Sequence, residues 1–273
     1  MQLARAMTAA GVEVVGIHMH SSRGRARVRR VLPGVPAFGP RDPLPPAAAI
    51  LLAVPDSAIS ACAQQLTSRL HPATSLALHT SGLLPAAVLA PLGEKGCHVG
   101  SFHPLVSFPT GTGPTVPLSG VVAVVEGDHG AVLGAERLAR SLGMRPLRLP
   151  ASAKPRYHAA AALAANMTYT LVAAARAQLL EVGFPRLLAA SALRPLVTGS
   201  VEAALSARGF ENFTGPIARG DATTIRTHLG VLPGRIATAY WAVASLAIAG
   251  LAEQGLISEK QAQELSIALT SKA

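Results

Sequence analysis

Nothing constrains this chain more than five apolar, Val/Ile/Leu-rich runs spaced along its first 150 residues. They are VEVVGIHM (12–19), AAAILLAVPD (47–56), SLALHTSG (75–82), CHVGSFHPL (97–105) and GVVAVVEG (120–127). Most lack a clear polar alternation, as strands buried on both faces of a parallel sheet do. Helical stretches lie between them. Leu3, Met7 and Ala10 share one face ahead of Gly11, which suits a C-cap. Pro55 and Asp56 open a helix over 57–70, a further helix spans about 128–142, and RPLRLP closes the half. Strands separated by helices predict an α/β fold with a mostly parallel sheet and right-handed crossovers.

The pattern stops near Pro150. KPRYHAAAALAANMTYTLVAAARAQLLEVG (154–183) reads as one long Ala-rich helix ending at Gly183. FPRLLAASALRPLVTGSVEAALSARG (184–209) supplies one or two more, and the stretch from Val231 onward two or three. The predicted domains are therefore residues 1–149, α/β, and residues 150–273, all-helical.

Charge narrows the partners. The chain has 24 Lys and Arg against 14 Asp and Glu, a net charge of +10. A nucleic-acid groove would interleave aromatics with those charges, yet aromatics make up only 4% and the densest basic run is Arg23, Arg25, Arg27, Arg29 and Arg30. An anionic cofactor, or simple solubility, is the better expectation, and no specific nucleic acid. Cys62 and Cys97 lie far apart without metal-ligand spacing, as reduced thiols in the cytoplasm do; no metal is expected. Gly11 and Glu13 break up any signal-peptide core. Residues 236–252, IATAYWAVASLAIAGLA, carry no charge. That run is short and Ala-rich for a membrane span, so it is read as a buried or interface helix, and a homodimer through the helical domain is expected.

One part of the pattern is missing. In a dinucleotide-binding unit a first strand runs into a G-x-G-x-x-G loop that holds the pyrophosphate at a helix N-terminus. Here the crossover helix and the second strand are present, but that first strand and its glycines are not. Either the start was assigned too far downstream, or ordinary dinucleotide binding has been lost; the first is favoured, because everything downstream reads as a working oxidoreductase. The second strand ends HMHSSRGRAR (18–27), with no acidic residue for the ribose hydroxyls of NAD. Ser21, Ser22, Arg23 and Arg25, read as a basic loop, could instead hold a 2′-phosphate, since guanidinium matches phosphate in charge and geometry. NADP is expected over NAD.

Three ordered stretches carry a family resemblance. HTSGLLPAAVLAPLGEKGCHVGSFHPLVSF (79–108), KPRYHAAAALAANM (154–167) and TGPIARGDATTIRTHL (214–229) resemble the Rossmann-like proteins with a DUF2520 C-terminal domain. The resemblance implies a Rossmann domain followed by a helical domain, as in pyrroline-5-carboxylate reductase, ketopantoate reductase and coenzyme F420-dependent NADP reductase.

The candidate site residues follow. In related enzymes the turn after the AILLAV strand covers the cofactor, which makes Val54 and Pro55 contacts. Ser81 and Gly82 end the next strand, on the side where open α/β sheets gather ligands; Ser81 could hydrogen-bond nicotinamide or substrate, and Gly82 admits close backbone approach. His103, fixed before Pro104, could give a proton to a carbonyl that receives hydride; its His-Pro pair also resembles that of prephenate dehydrogenases. Lys154 and His158 lie about 40° apart on one helix face. Asn166 lies about 80° further round and is expected to find a buried partner. By analogy with ketopantoate reductase, Lys154 would donate a proton and Asn166 would orient substrate. Thr214 opens a turn and helix start, and Arg219 could clamp a substrate carboxylate or pair with Asp221. Together these predict an NADP-dependent oxidoreductase acting on a C=O or C=N bond of a small anionic metabolite. The alternative is a non-catalytic ligand-binding or scaffold protein of Rossmann descent.

Overall fold

The computed structural model describes residues 1–109 and 113–270. They form two compact units, which divide between Asn166 and Met167.

The first unit begins with α1 (Gln2–Ala9), β1 (Ile17–His18), α2 (Ser22–Val31) and β2 (Ala37–Phe38). Then come β3 (Ala49–Leu52), α3 (Asp56–Leu66), β4 (Leu76–His79), a 3-10 turn (Ala86–Leu89), α4 (Ala90–Gly93) and β5 (His98–Pro104). It closes with β6 (Val122–Gly127), α5 (His129–Ser141), β7 (Arg145–Arg148), a 3-10 turn (Ala151–Ala153) and α6 (Lys154–Ala162). The strands make two separate ladders: β1 pairs in parallel with β2, and a five-stranded sheet has the order β3-β4-β5-β6-β7.

The expected strand at 12–19 shrinks to Ile17–His18, because its partner β2 is two residues long and residues 12–16 run on without a ladder. The residues after it are not a loop. Ser21 caps a helix, its Oγ accepting from Gly24 N at 3.0 Å, and α2 carries the arginines from Arg23 to Arg30. A serine N-cap and five arginines, all good helix formers, outweigh the single Gly24.

The sheet is mixed rather than wholly parallel. β5 and β6 run antiparallel, with Ser101 opposite Glu126 and Phe102 opposite Val125. The described part of the connection between them holds no helix, and it is such a crossover that a parallel return needs. The core lies on both sheet faces. Leu78, Phe102, Ala123 and Val125 pack with Ala131, Ala135 and Ala139 of α5 and with Leu3 and Ala6 of α1. Leu52 and Ala77 pack with Ile59 and Ala63 of α3 and with Leu89 and Leu92. The small residues of α5 allow close approach: a Cβ on Gly100 would stand 2.8 Å from that of Ala131. Both cysteines are free thiols; Cys97 is buried and donates to Thr74 O, and Cys62 is half-buried.

The long helix expected over 154–183 is interrupted. α6 passes into a π-helical turn, Leu163–Met167, before α7 (Thr168–Glu181) resumes. The second unit continues with α8 (Arg186–Ser206), which keeps Pro195 in its interior, then α9 (Ala222–Val231), α10 (Gly234–Glu253) and α11 (Glu259–Thr270). Residues from α9, α10 and α11 build its core, among them Ile225, Ala247, Ile248, Leu251, Leu265 and Ala268. α7 and α8 bury only Ala189. Among the described residues α10 is the one helix long and apolar enough to cross a membrane; it buries Ala244, Ala247, Ile248 and Leu251 and exposes Trp241, Val243 and Leu246.

Candidate functional site

The C-terminal ends of β3, β4 and β5 converge within the first unit, and a cavity of about 380 Å³ opens there. Ala53, Thr80 and His103 line it from the three strands, Arg27 lines it from α2, and the start of α1 and Phe108 complete it. Arg27 stands one turn beyond Arg23 on the same helix face, so α2 turns one of its five arginines toward the strand ends.

His103 is held by geometry on several sides. Its ring lies against Gly82, where a Cβ would stand 2.9 Å from Cε1; glycine is required by the closeness of the imidazole. Nδ1 lies 2.6 Å from the Tyr157 hydroxyl, the rings meeting edge-on at 5.6 Å. The His158 ring is 6.3 Å away. Burial, then electrostatic repulsion from His158 and Lys154, lower the His103 pKa to about 4. The ring is therefore neutral at physiological pH. Burial raises Tyr157 to about 12, so that group is protonated as well.

Beside the cavity lies a buried polar cluster. Lys154, wholly buried, donates to Ser101 Oγ at 2.6 Å and Ser81 O at 3.3 Å, and its Nζ lies 3.5 Å from Glu126 Oε2. Glu126 also accepts from Ala86 N at 2.8 Å and from Ser101 Oγ at 3.4 Å. Burial lowers the Lys154 pKa, against which Glu126 and Asp56 work. A buried charge without such partners would be costly. Ser81 Oγ donates to Asp56 Oδ2 at 2.6 Å and accepts from Leu83 N and Leu84 N at 3.1 and 2.9 Å. One proton and two lone pairs are the whole capacity of a hydroxyl, so this one is spent on its own turn. His79 completes the cluster: Nδ1 accepts from Ser81 N at 3.2 Å and Nε2 lies 3.3 Å from Pro85 O. Burial, then Lys154, lower its pKa to about 4.

The residues expected from the sequence thus fall into groups. His103, Lys154, His158, Ser81 and Gly82 come together. Val54 packs partly buried on the core at α3, and Pro55 starts that helix. Ser21, Ser22 and Arg23 are exposed at the start of α2, while half-buried Arg25 donates to Met19 O at 3.3 Å. Asn166 is exposed on the π-helical turn rather than buried. Thr214 and Arg219 are exposed in the second unit. The helix start expected at Thr214 lies instead at Asp221, whose carboxylate caps α9 by accepting from Thr224 N at 3.0 Å and Thr224 Oγ1 at 2.6 Å; those bonds, and after them the nearby Arg219 charge, hold its pKa below the ordinary value.

Sequence reasoning passed over Arg27, Asp56, Ser101, Glu126 and Tyr157. Ser101 sits two residues before His103 and Tyr157 one before His158, so a reading of neighbours would have found them. Glu126 needs the antiparallel register, which no local pattern reveals.

Comparison with known proteins agrees with this architecture. Residues 1–104 match the Rossmann-like domain family and residues 121–247 match DUF2520, a domain of unknown function. No curated protein matches the sequence. Among solved structures, a candidate NADP oxidoreductase of Bacteroides fragilis superposes with a TM-score of 0.72 at 18% identity, over 97% of this chain and 93% of that one. A Thermotoga maritima protein gives 0.62 at 19% identity, over 98% and 96%. The Plasmodium falciparum pyrroline carboxylate reductase, solved with NADP bound, gives 0.58 at 10% identity, over 98% and 94%. At these identities the likeness is one of fold.

Proposed function

We propose, for a chain that carries a Rossmann-like domain followed by a DUF2520 domain, that it is an NADP-dependent oxidoreductase acting on a C=O or C=N bond of a small anionic metabolite. The observation that carries this is His103, a neutral histidine turned into a cavity at the strand ends where α/β sheets bind ligands. The lining fits a nicotinamide dinucleotide: the volume suits part of such a ligand, and Arg27 offers a cation to a phosphate. When bound, a nicotinamide would supply the hydride.

The chain's own residues do the rest. His103 Nε2 donates a hydrogen bond to the substrate oxygen or nitrogen that gains charge, and the proton that completes the reduction is taken from water. Lys154 and Glu126 tie β5 and β6 to α6, and Asp56 with Ser81 fixes the turn on which Gly82 sits. Arg23 and Arg25, at the start of α2 with the Ser21 cap, favour a 2′-phosphate over a bare ribose, which is why NADP is preferred to NAD. Thr214, Arg219, His158 and Asn166 remain candidates for holding the substrate.

Calorimetric titration with NADPH, and with NADH as control, tests the reading. Micromolar binding that favours NADPH is expected, weakened about tenfold or more by Arg27→Ala, since a charged hydrogen bond contributes about 1.5–3 kcal/mol. No binding of either dinucleotide would favour a non-catalytic ligand-binding protein instead.

We also propose that the helical unit pairs with a second copy. α8 exposes Leu187, Leu196 and Leu205 at 89, 67 and 77%. Successive members of this set are about 180° apart, so large apolar side chains stand exposed on two opposite sides of α8, and packing against a second copy would take them out of water.

A further inference from the structure

We infer that Tyr157 is a positioning residue: its hydroxyl fixes His103 in the tautomer that carries its hydrogen on Nε2, so that a neutral imidazole offers that hydrogen to the substrate. The inference deepens the oxidoreductase reading and rests on it for its catalytic meaning, though not for its test.

The 2.6 Å contact between Tyr157 and His103 Nδ1 admits two arrangements. In one the phenol donates to a bare Nδ1; in the other Nδ1–H donates to the phenol oxygen. A phenol is the stronger acid and an imidazole nitrogen the stronger base, so the first arrangement makes the better hydrogen bond. A neutral imidazole has one hydrogen, and an accepting Nδ1 leaves it on Nε2. His103 lines the cavity and Tyr157 does not, so at this cavity the phenol acts through the ring. The groups that face the ring are Tyr157, His158 and Lys154 from α6 and Asp56 from α3. Two of these are cationic or become so on protonation, which opposes an imidazolium; the phenol can satisfy Nδ1 without one.

His79 provides an internal standard. Its Nδ1 accepts from the Ser81 backbone N–H, a donor that cannot reverse, and Nε2 faces a carbonyl. That ring has one tautomer whatever happens at Tyr157.

Long-range nitrogen–proton correlation spectra of protein labelled at histidine nitrogens, without cofactor or substrate, read both rings directly. His103 signals are assigned by their loss in His103→Gln. In the wild type, His103 is expected to show bare Nδ1 and protonated Nε2 at neutral pH, as His79 does. Tyr157→Phe should move both His103 nitrogen signals toward those of a tautomer mixture and leave His79 unchanged, which also reports that the fold is intact. A wild-type ring protonated on Nδ1, an imidazolium at neutral pH, or Tyr157→Phe spectra identical to wild type would each overturn the inference. Dinucleotide binding is measured separately by calorimetry, so failure of the oxidoreductase reading and failure of this one are distinguishable.

Discussion

Two histidines kept neutral by burial make stability depend on pH with a definite sign. His79 and His103 have pKa values lowered to about 4, against about 6.5 in an unfolded chain. As pH falls through 6.5 the unfolded state takes up protons that the folded state refuses until about 4. Stability is therefore full above 6.5 and declines as pH falls toward 4. The wholly buried His79 contributes a slope of up to about 1.4 kcal/mol per pH unit in that interval. Thermal unfolding followed between about pH 7 and 5 should show the midpoint falling with pH, and His79→Gln should flatten the slope even if it lowers the midpoint. An unchanged slope would assign the dependence to other groups. At this scale the sequence disclosed the residues with a local signature: His103 before a proline at a strand end, Lys154 and His158 at helical spacing. It could not disclose that Lys154 is sealed between Ser101, Ser81 and Glu126, because those partners come from three different stretches of chain.

Elements were legible where their pattern was local. The strands at 47–56, 75–82 and 97–105 and the helices at 57–70 and 128–142 appear near their expected places, because each carries its own hydrophobic period and boundary residues. The reading failed where pairing or context decides. β2 is two residues within a Pro- and Gly-rich stretch, too short for any period to show. The π-helical turn leaves no mark in an Ala-rich run. The arginine-rich start of α2 looked like a loop because its charge outweighed its cap. At α8 the proposed pairing gives a direct expectation. Burying one leucine side chain contributes about 2 kcal/mol, roughly 30-fold in a dissociation constant. Leu187→Glu with Leu205→Glu should thus convert a dimer to monomer in sedimentation runs while far-ultraviolet dichroism stays helical. A wild type that sediments as a monomer at micromolar concentration would sink the proposal.

At the scale of the whole molecule, the change from strand-bearing to purely helical sequence near Pro150 was plain, while the compact units divide at Asn166; α6 joins the sheet through Lys154, whose contacts outrank its helical character. The two ladders carry a further consequence, one of time. Among the described residues β1 and β2 have no hydrogen-bonded neighbour in the five-stranded sheet, and of the piece they bound with α2 only Val28, Leu32 and Val35 are buried hydrophobics. Small cooperative pieces open and close on their own far more often than a domain unfolds. In hydrogen–deuterium exchange the amides of Ile17 and Met19, which bond to Pro36 O and Phe38 O, should be replaced well before those of β4 and β5, and NADPH should slow them most. Equal rates in the two ladders would mean that this corner opens only with the whole. Otherwise the segment that bears the arginines lives on a faster clock than the strands that bear the histidines, and a ligand that bridges them must wait for the faster one to close.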